Sequence, residues 1–289
     1  MQVIAHNIRR VILRLRLSQL QGLVRRLACV TVFCFFSVVA SSVFAAEVYG
    51  VIELSNGNVR IVDAQGQSRL AQQDDKVMEG DTIITGQGGE IQIRTDDHGF
   101  VAVRSNTKLR IDAYSAHSDA SDKSVMSLLA GTIRSITGWI GKTHPESYAI
   151  KTPSATIGVR GTDHEPQVIL PPEPGQQAIA EPGTYDKVNQ GSTVLRGEKG
   201  TVQVQANQAA FAAHDKALAP RALDAIPTFY KPSRFENRID RRKGVLAQNM
   251  EKHQQARAGK NNTARGERRA GETVKPHQRK LQQRVPNQR

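Results

Sequence analysis

Residues 90–111, EIQIRTDDHGFVAVRSNTKLRI, contain three short segments in which apolar and polar side chains alternate. The apolar positions lie two residues apart in each segment: Ile91 and Ile93, Val101 and Val103, and Leu109 and Ile111. The clusters DDHG and SNT separate the segments, and both are rich in residues that favour turns. Alternation bounded by turn residues is typical of β-strands with one buried face, so this stretch predicts a run of short strands.

The same pattern continues over residues 48–165 and predicts an all-β domain, either sandwich-like or solenoid-like. Within it, residues 125–140 fit both a helix and a strand, but β-branched residues and Gly131 favour two strands joined by a turn. The Pro-rich segment 166–183 predicts a surface excursion without ladder hydrogen bonds. Strand patterning resumes over residues 184–230, and we expect these strands to pack on the same domain because so short a segment buries little core.

Residues 231–289 have a different composition, and they predict a short basic amphipathic helix followed by a disordered basic tail. The sequence SRFE offers a capping box, with Ser233 as N-cap and Glu236 at the third helical position. One face of the predicted helix is apolar and carries Phe235, Ile239, Leu246 and Met250. Beyond Lys252 almost no apolar residue remains, which predicts disorder.

Charge is distributed unevenly along the chain. The formal net charge is +13, yet residues 46–230 contain 17 basic and 22 acidic side chains, whereas residues 231–289 contain 17 basic and 5 acidic ones. The body is therefore mildly acidic, and its charge argues against a nucleic-acid-binding protein. The basic tail predicts attraction to an anionic envelope polymer or a membrane surface.

The N-terminal residues 1–45 have the pattern of a secretory signal peptide. Arg25 and Arg26 precede an apolar stretch, and Val43 and Ala45 occupy the positions that signal peptidase requires. We therefore expect cleavage after Ala45 and a periplasmic product. The alternative is an uncleaved signal anchor in the inner membrane, since the apolar stretch is long enough to cross a bilayer.

Catalytic and metal-binding motifs are not evident in the sequence. Both cysteines lie in the predicted signal peptide, so the mature chain has no thiol for catalysis. Asp163, His164 and Glu165 are adjacent, and on a strand they would alternate between faces and could not bind one metal ion together. We therefore expect these three to be exposed loop residues, and we predict no catalytic residues, no metal and no cofactor.

Adjacent carboxylates leave one enzymatic alternative open. Asp74 with Asp75 and Asp96 with Asp97 could serve a glycan-cleaving enzyme, but acidic pairs are frequent in turns because Asp accepts local backbone hydrogen bonds. The turn interpretation is favoured, and the sequence predicts a protein that is not an enzyme.

Residues 152–162, TPSATIGVRGT, form the most distinctive motif of the chain. The motif is too short for a phosphate-binding loop and lacks the following Lys and Ser or Thr. We predict that Gly158 and Gly161 mark bends of a strand or close approaches of another backbone. Arg160 is either a surface charge or the partner of an internal carboxylate. The candidate ligand-binding or structural residues of this motif are Thr152, Pro153, Gly158, Arg160, Gly161 and Thr162.

The motif, together with LLAGTIRSITGWIGK and the segment around residues 90–111, resembles the FecR family of periplasmic regulators, named for the ferric citrate transport regulator. The resemblance covers roughly residues 48–165. It implies an all-β, solenoid-like periplasmic domain without enzymatic activity, of the kind that passes a signal from an outer-membrane receptor to a cytoplasmic sigma factor.

Only 26 residues precede the apolar stretch, whereas the full regulators of the family carry a helical anti-sigma domain there. We therefore expect an exported sensor or binding module whose partner is an unidentified envelope protein or an anionic polymer. The alternative is a signal-anchored transmembrane regulator related to anti-sigma signalling.

Overall fold

The computed structural model describes residues 46–175 and 177–256. Its strands are β1 (Val48–Asn56), β2 (Val59–Val62), β3 (Ser68–Leu70), β4 (Lys76–Met78), β5 (Thr82–Thr85), β6 (Glu90–Thr95), β7 (Phe100–Val103), β8 (Lys108–Ser115), β9 (Lys123–Ile136), β10 (Tyr148–Lys151), β11 (Thr156–Ile169), β12 (Gly183–Gly197), β13 (Gly200–Gln205), β14 (Ala209–Ala213) and β15 (Arg221–Ala222). A one-turn helix, α1 (Ile140–Thr143), and a 3₁₀ turn (Pro145–Ser147) connect β9 to β10. A longer helix, α2, covers residues 236–256.

All of these strands belong to one mostly antiparallel sheet that does not close into a barrel. Its main path runs β15-β14-β12-β11-β10-β9-β7-β6-β1-β4, and β8 joins β2, β3 and β5 to β9. The pair β9–β10 is parallel, because α1 and the 3₁₀ turn carry the chain back to the same end of the sheet. The predicted all-β class is confirmed.

Three long strands change neighbours part-way along their length, and a glycine lies at each change. Gly131 in β9 has φ +84°, Gly161 in β11 has φ +62° and Gly191 in β12 has φ +81°. Only glycine adopts these angles without strain, so each strand bends there and continues. The expectation of two strands joined by a turn in residues 125–140 is therefore wrong: β9 is one strand with a bend at Gly131.

The Pro-rich excursion begins later than residue 166. Strand β11 continues to Ile169, and Pro166 pairs with Asp186 of β12, so the excursion lies between Ile169 and Gly183. Proline lacks an N–H group, but its carbonyl and its fixed φ are compatible with a strand position whose donor is not needed. The following strands β12 to β14 bury Val188, Leu195 and other side chains in the same core as the preceding strands.

The interior of the curled sheet is one apolar cluster built from alternate residues of nearly all the strands. Ile52, Ile93, Leu109, Ile133 and Ile157 are fully buried in it. These residues include two that the alternation in the sequence placed on a buried face, namely Ile93 and Leu109.

Helix α2 begins with the predicted capping box. The Ser233 backbone N–H donates to Glu236 Oε2 over 3.0 Å, and the Phe235 N–H donates to Ser233 Oγ over 3.1 Å. Ile239 and Leu246 are buried against the domain in a second apolar cluster with Phe100, Ala102 and Ile136. Within the described segments, no helix is long and apolar enough to cross a membrane. The predicted signal peptide and the basic tail beyond residue 256 lie outside the described residues.

Candidate functional site

The motif of residues 152–162 extends from one end of β11 to its bend, so its candidate residues do not converge on one point. Thr152 and Pro153 lie in the turn before β11. Gly158 and Arg160 lie within the strand, and Gly161 and Thr162 lie at the bend.

The turn that begins the motif is held by hydroxyl groups. Thr152 Oγ1 donates to the Ala155 carbonyl over 2.8 Å, and Ser154 Oγ donates to the Ala212 carbonyl over 3.2 Å. Both hydroxyls also lie 2.7 Å from Thr184 Oγ1. An open polar cleft beside this turn is lined partly by Arg196, Glu198 and Lys216. The hydroxyl groups are thus committed to fixing the turn, which assigns this end of the motif to the scaffold.

The middle of the motif is ordinary strand. Gly158 pairs with Ala149 and Val194, and a side chain at this position would meet no atom within 4 Å. The predicted bend or close approach at Gly158 is therefore wrong. The Arg160 side chain is exposed and forms no ion pair within the described part of the chain, so it is a surface charge and not the partner of an internal carboxylate.

The end of the motif is a bend at Gly161, as predicted, and the backbone of β12 packs closely against it. A Cβ atom on Gly191 would lie 2.4 Å from the Gly161 carbonyl oxygen, so the two bends pack directly on each other. Thr162 Oγ1 donates to the Ser192 carbonyl over 2.7 Å, and the Thr162 N–H donates to Thr137 Oγ1 over 2.9 Å. The first bond holds the bend of β11 against β12, and the second holds it against the residue after β9.

The three residues that directly follow this motif were expected to be exposed, and this expectation is wrong. Asp163, His164 and Glu165 are 3%, 0% and 4% exposed, because β11 continues through them and α2 covers its outer side. They alternate between faces as predicted: Asp163 and Glu165 lie under α2, whereas His164 lies on the opposite side. No group of three residues with metal-ligand chemistry occurs within residues 46–175 and 177–256.

The outer face is the surface of the sheet beneath α2, and it crosses five strands and the residue after β7. Backbone register aligns Gln92 with Ala102, Ala102 with Arg134, and Glu165 with Lys187. The residues of the outer face are Gln92, Phe100, Ala102, Arg104, Arg134, Ile136, Asp163, Glu165 and Lys187.

Arg134 and Asp163 form the centre of the outer face. Arg134 Nε and Nη2 donate to the two oxygens of Asp163 over 2.9 and 2.8 Å, a bidentate pair, and Lys243 of α2 also contacts this carboxylate. Burial alone would raise the pKa of Asp163, but the hydrogen bonds and charges of Arg134 and Lys243 outweigh it and lower the pKa to about 2. Glu236 and Asp240 of α2 contact the same guanidinium group.

A second set of charges continues the outer face toward β12. Arg104 Nη2 lies 2.9 Å from Glu165 Oε2 and 3.1 Å from Glu236 Oε2. Lys187 Nζ donates to Glu165 Oε1 over 2.8 Å, and the Asn189 amide donates to the same oxygen over 3.0 Å. Desolvation would raise the pKa of Glu165, but Arg104 and Lys187 lower it. The charges of the face are thus ionised and paired, partly with one another and partly with α2.

The opposite face carries a separate polar group inside the core. His164 Nδ1 lies 2.9 Å from Asp186 Oδ1, and Thr193 Oγ1 donates to Asp186 Oδ2 over 2.6 Å. The His164 and Asp186 side chains are fully buried. Their burial fixes the register of β11 on β12 and leaves them out of contact with solvent.

A small cavity of about 110 Å³ lies between the bend at Gly161 and α2. Lys142, Asp163, Lys243 and Met250 are among its lining residues. It joins the end of the sequence motif to the outer face.

The sequence pattern did not identify Arg104, Arg134 and Lys187 as parts of a site. One signal was available: Arg134 interrupts the apolar strand LLAGTIRSI, and Asp163 and Glu165 are two residues apart on a neighbouring strand. Charges that recur on one side of adjacent strands indicate a face that is covered by another charged element and not by an apolar one.

Comparison with known proteins finds a family match for part of the chain. A model of the family described as FecR protein matches residues 81–176. No curated protein matches the chain significantly.

Among solved structures, two crystal structures of a candidate anti-sigma factor from Parabacteroides distasonis ATCC 8503 match with TM-scores of 0.38 and 0.37 at 12% and 13% identity. Each match covers 50% of this chain and 59% of the other, so the chain spans less than two thirds of those proteins. A structure described as a cell surface anchoring domain matches 22% of this chain and 82% of its own length, with 26% identity and a TM-score of 0.21. The family match identifies residues 81–176, about a third of the chain, as a FecR domain.

Proposed function

We propose that the protein is an exported, non-catalytic sensor or binding module of the periplasm or cell envelope. The FecR domain at residues 81–176 carries this proposal. The signal-peptide pattern of residues 1–45 supports export. The partner is an envelope protein or an anionic envelope polymer.

The electrostatics of the outer face support binding over catalysis. A general acid that works near neutral pH needs a raised pKa, whereas pairing lowers the pKa of both Asp163 and Glu165. Asp97 has a raised pKa because it is desolvated, but its side chain lies in the interior and accepts hydrogen bonds from Thr95 and the Gly99 N–H. A glycan chain needs an accessible pair of carboxyl groups, which these residues do not offer.

The basic C-terminal residues add an electrostatic contact with the envelope. Residues 257–289 contain 10 basic and 2 acidic side chains. Binding of such a segment to anionic polymers or lipid headgroups is driven by charge, so added salt weakens it. Retention on envelope fractions that is unchanged by salt would contradict this part of the proposal.

The deciding experiment is cell fractionation followed by N-terminal sequencing of the native protein. We expect a periplasmic or envelope-associated chain that begins at Ala46. An intact chain held in the inner membrane would instead identify a signal-anchored regulator, and a chain in the cytoplasm would reject both. In a screen of glycan hydrolysis, we expect the wild-type protein to show no activity above that of the Asp97→Asn variant.

A further inference from the structure

Helix α2 contacts the outer face through several charged side chains. Glu236 bridges Arg104 and Arg134, whose side chains are 11% and 5% exposed, and Lys243 contacts Asp163. At the other edge, Arg242 Nη2 lies 2.8 Å from Glu53 Oε2 of β1. These contacts set charged groups against one another, in contrast to the apolar interior on the other side of the same strands.

Apolar contact between α2 and the sheet centres on two residues, and farther along the helix Met250 is buried and His253 stacks on Trp139 with ring centroids 4.1 Å apart. Ile239 and Leu246 form one cluster with Phe100, Ala102 and Ile136. The interior cluster, in contrast, contains residues from nearly all the strands. Interfaces that open and close resemble this arrangement, because they are smaller and more polar than permanent ones.

Several buried polar atoms at the interface have no hydrogen-bond partner within the described residues. They are Gln92 Oε1, Arg104 Nε and Arg238 Nε. Burying a polar group without a partner is unfavourable, whereas the same group exposed to solvent is satisfied. The docked helix therefore gains less than a fully paired interface would, and undocking returns every one of these groups to water.

The segment before α2 allows such a movement. Phe229 and Tyr230 pack into a third cluster with Tyr185 and Phe211, and residues 231–235 between this cluster and α2 have no regular structure. The helix can leave the sheet with the anchor at Tyr230 in place once the hydrogen bond from Arg104 Nη1 to the Lys231 carbonyl, 2.7 Å long, is broken.

We infer that the outer face is a helix-binding surface and that a helix of a partner protein can replace α2 on it. The partner is an amphipathic helix of another envelope protein that matches the charges α2 uses. The partner helix carries an acidic side chain in its first turn, which pairs with Arg104 and Arg134. About two turns further on it carries basic side chains for Asp163 and Glu53. An apolar residue between these positions packs on Phe100 and Ala102. The inference rests on the proposed binding function and names the class of partner.

A competition experiment tests this with a probe taken from the chain itself. The probe is a labelled peptide of residues 231–256, and the receptor is the full mature chain, either wild type or with Ile239→Asp in its own helix. Ile239 is fully buried against Phe100 and Ala102, so the substitution releases α2 and leaves the outer face unchanged. We expect the variant to keep its β-sheet circular dichroism and to bind the peptide at least about tenfold more tightly than the wild type, whose resident helix competes.

Two controls assign the binding to the outer face. A peptide carrying Ile239→Asp should not bind the released variant. A receptor that combines Ile239→Asp with Arg134→Glu should not bind the normal peptide, because the substitution places an acid where the peptide brings its own Glu236. Hydrogen exchange should show that amides of α2 in the wild type exchange much faster than those of β9 and β11.

Other results would overturn the inference. If Ile239→Asp and Leu246→Asp each unfold the sheet together with the helix, α2 is a permanent part of the core. If the released variant folds but does not bind the peptide, the face does not recognise helices in trans. If it dimerises by exchanging helices, the occupant is a second copy and not a partner protein. None of these results changes the N-terminal sequencing, so failure here is distinguishable from failure of the proposed function.

Discussion

The two faces of strands β9 and β11 bury side chains of opposite character. On the inner side, Ile133 and His164 lie in or beside the apolar interior, which the curled sheet closes by itself. On the outer side, Arg134 and Asp163 are buried almost as deeply, but beneath a helix that follows β11 by more than sixty residues. The same alternation thus produces one face that is buried whenever the sheet forms and another whose burial depends on a separate docking step.

Burial alone does not show how strongly a face of the sheet is stabilised. Apolar side chains on the inner face lose their stabilisation when exposed to water, so that face resists opening. Paired charges on the outer face regain hydration when exposed, which offsets much of the lost pairing. Changes on the inner face should therefore reduce global stability, and changes on the outer face should mainly release α2.

The largest effect is expected from Asp186→Ala on the inner face. It leaves His164 Nδ1 and Thr193 Oγ1 buried without their partner, and we expect a loss of about 4 kcal/mol in the free energy of unfolding. Urea denaturation followed by circular dichroism measures it. Asp119→Ala is the control, because Asp119 is exposed in a turn, and its midpoint should not change. Equal midpoints for the two variants would contradict the stated difference between a buried and an exposed carboxylate.

The substitution Arg134→Met on the outer face should lower the free energy of unfolding by less, about 3 kcal/mol. The substitution keeps the length of the side chain but removes the cation shared by Asp163 and Glu236. Release of α2 limits the cost, so hydrogen exchange should lose protection in the helix and keep it in β9. Uniform loss of protection throughout the sheet would show that the two faces are not energetically separate.

Acid should lower the contribution of the outer face to the free energy of unfolding by about 2 kcal/mol. The pKa of Asp163 is about 2 in the folded protein and 3.8 ordinarily, so its folded value is depressed. Its contribution is present above about pH 4 and is lost as the pH falls toward 2. Stability measured between these values should fall less steeply in Asp163→Asn than in the wild type, and identical slopes would count against this assignment.

The smallest effect is expected from Ser233→Ala at the start of α2. Losing the N-cap hydroxyl should cost about 1 kcal/mol and act on the helix alone. Exchange of the first amides of α2 should speed up, whereas the thermal midpoint of the sheet should stay the same. Ser233→Thr, which keeps a capping hydroxyl, should retain most of the protection.

The sequence was sufficient to predict features that depend on neighbours along the chain. The strand pattern of residues 90–111, the capping box at Ser233 and the opposite orientations of Asp163 and His164 all follow from local periodicity, and the structure has them. The domain family also followed from local motifs.

Features that depend on distant contacts were not predictable in the same way. Asp163 and Glu165 were expected to be exposed because a polar triplet next to a Pro-rich segment is typical of a loop, and only the docking of α2 explains their burial. Gly131 was expected in a turn because a positive φ suits both a turn and a bend within a strand. The pairing of Gly131 with Val168 decides between the two, and it spans a long stretch of chain.

The contact between Arg238 of α2 and the carbonyl of Glu53 in β1 joins residues 185 positions apart. Such a contact requires the closure of a very long loop, so it forms after the strands have paired. Contacts that form after the rate-limiting step hardly change the rate of folding, but they slow unfolding. Docking of α2 should therefore leave the folding rate of the sheet unchanged and set the rate at which the outer face becomes exposed to solvent.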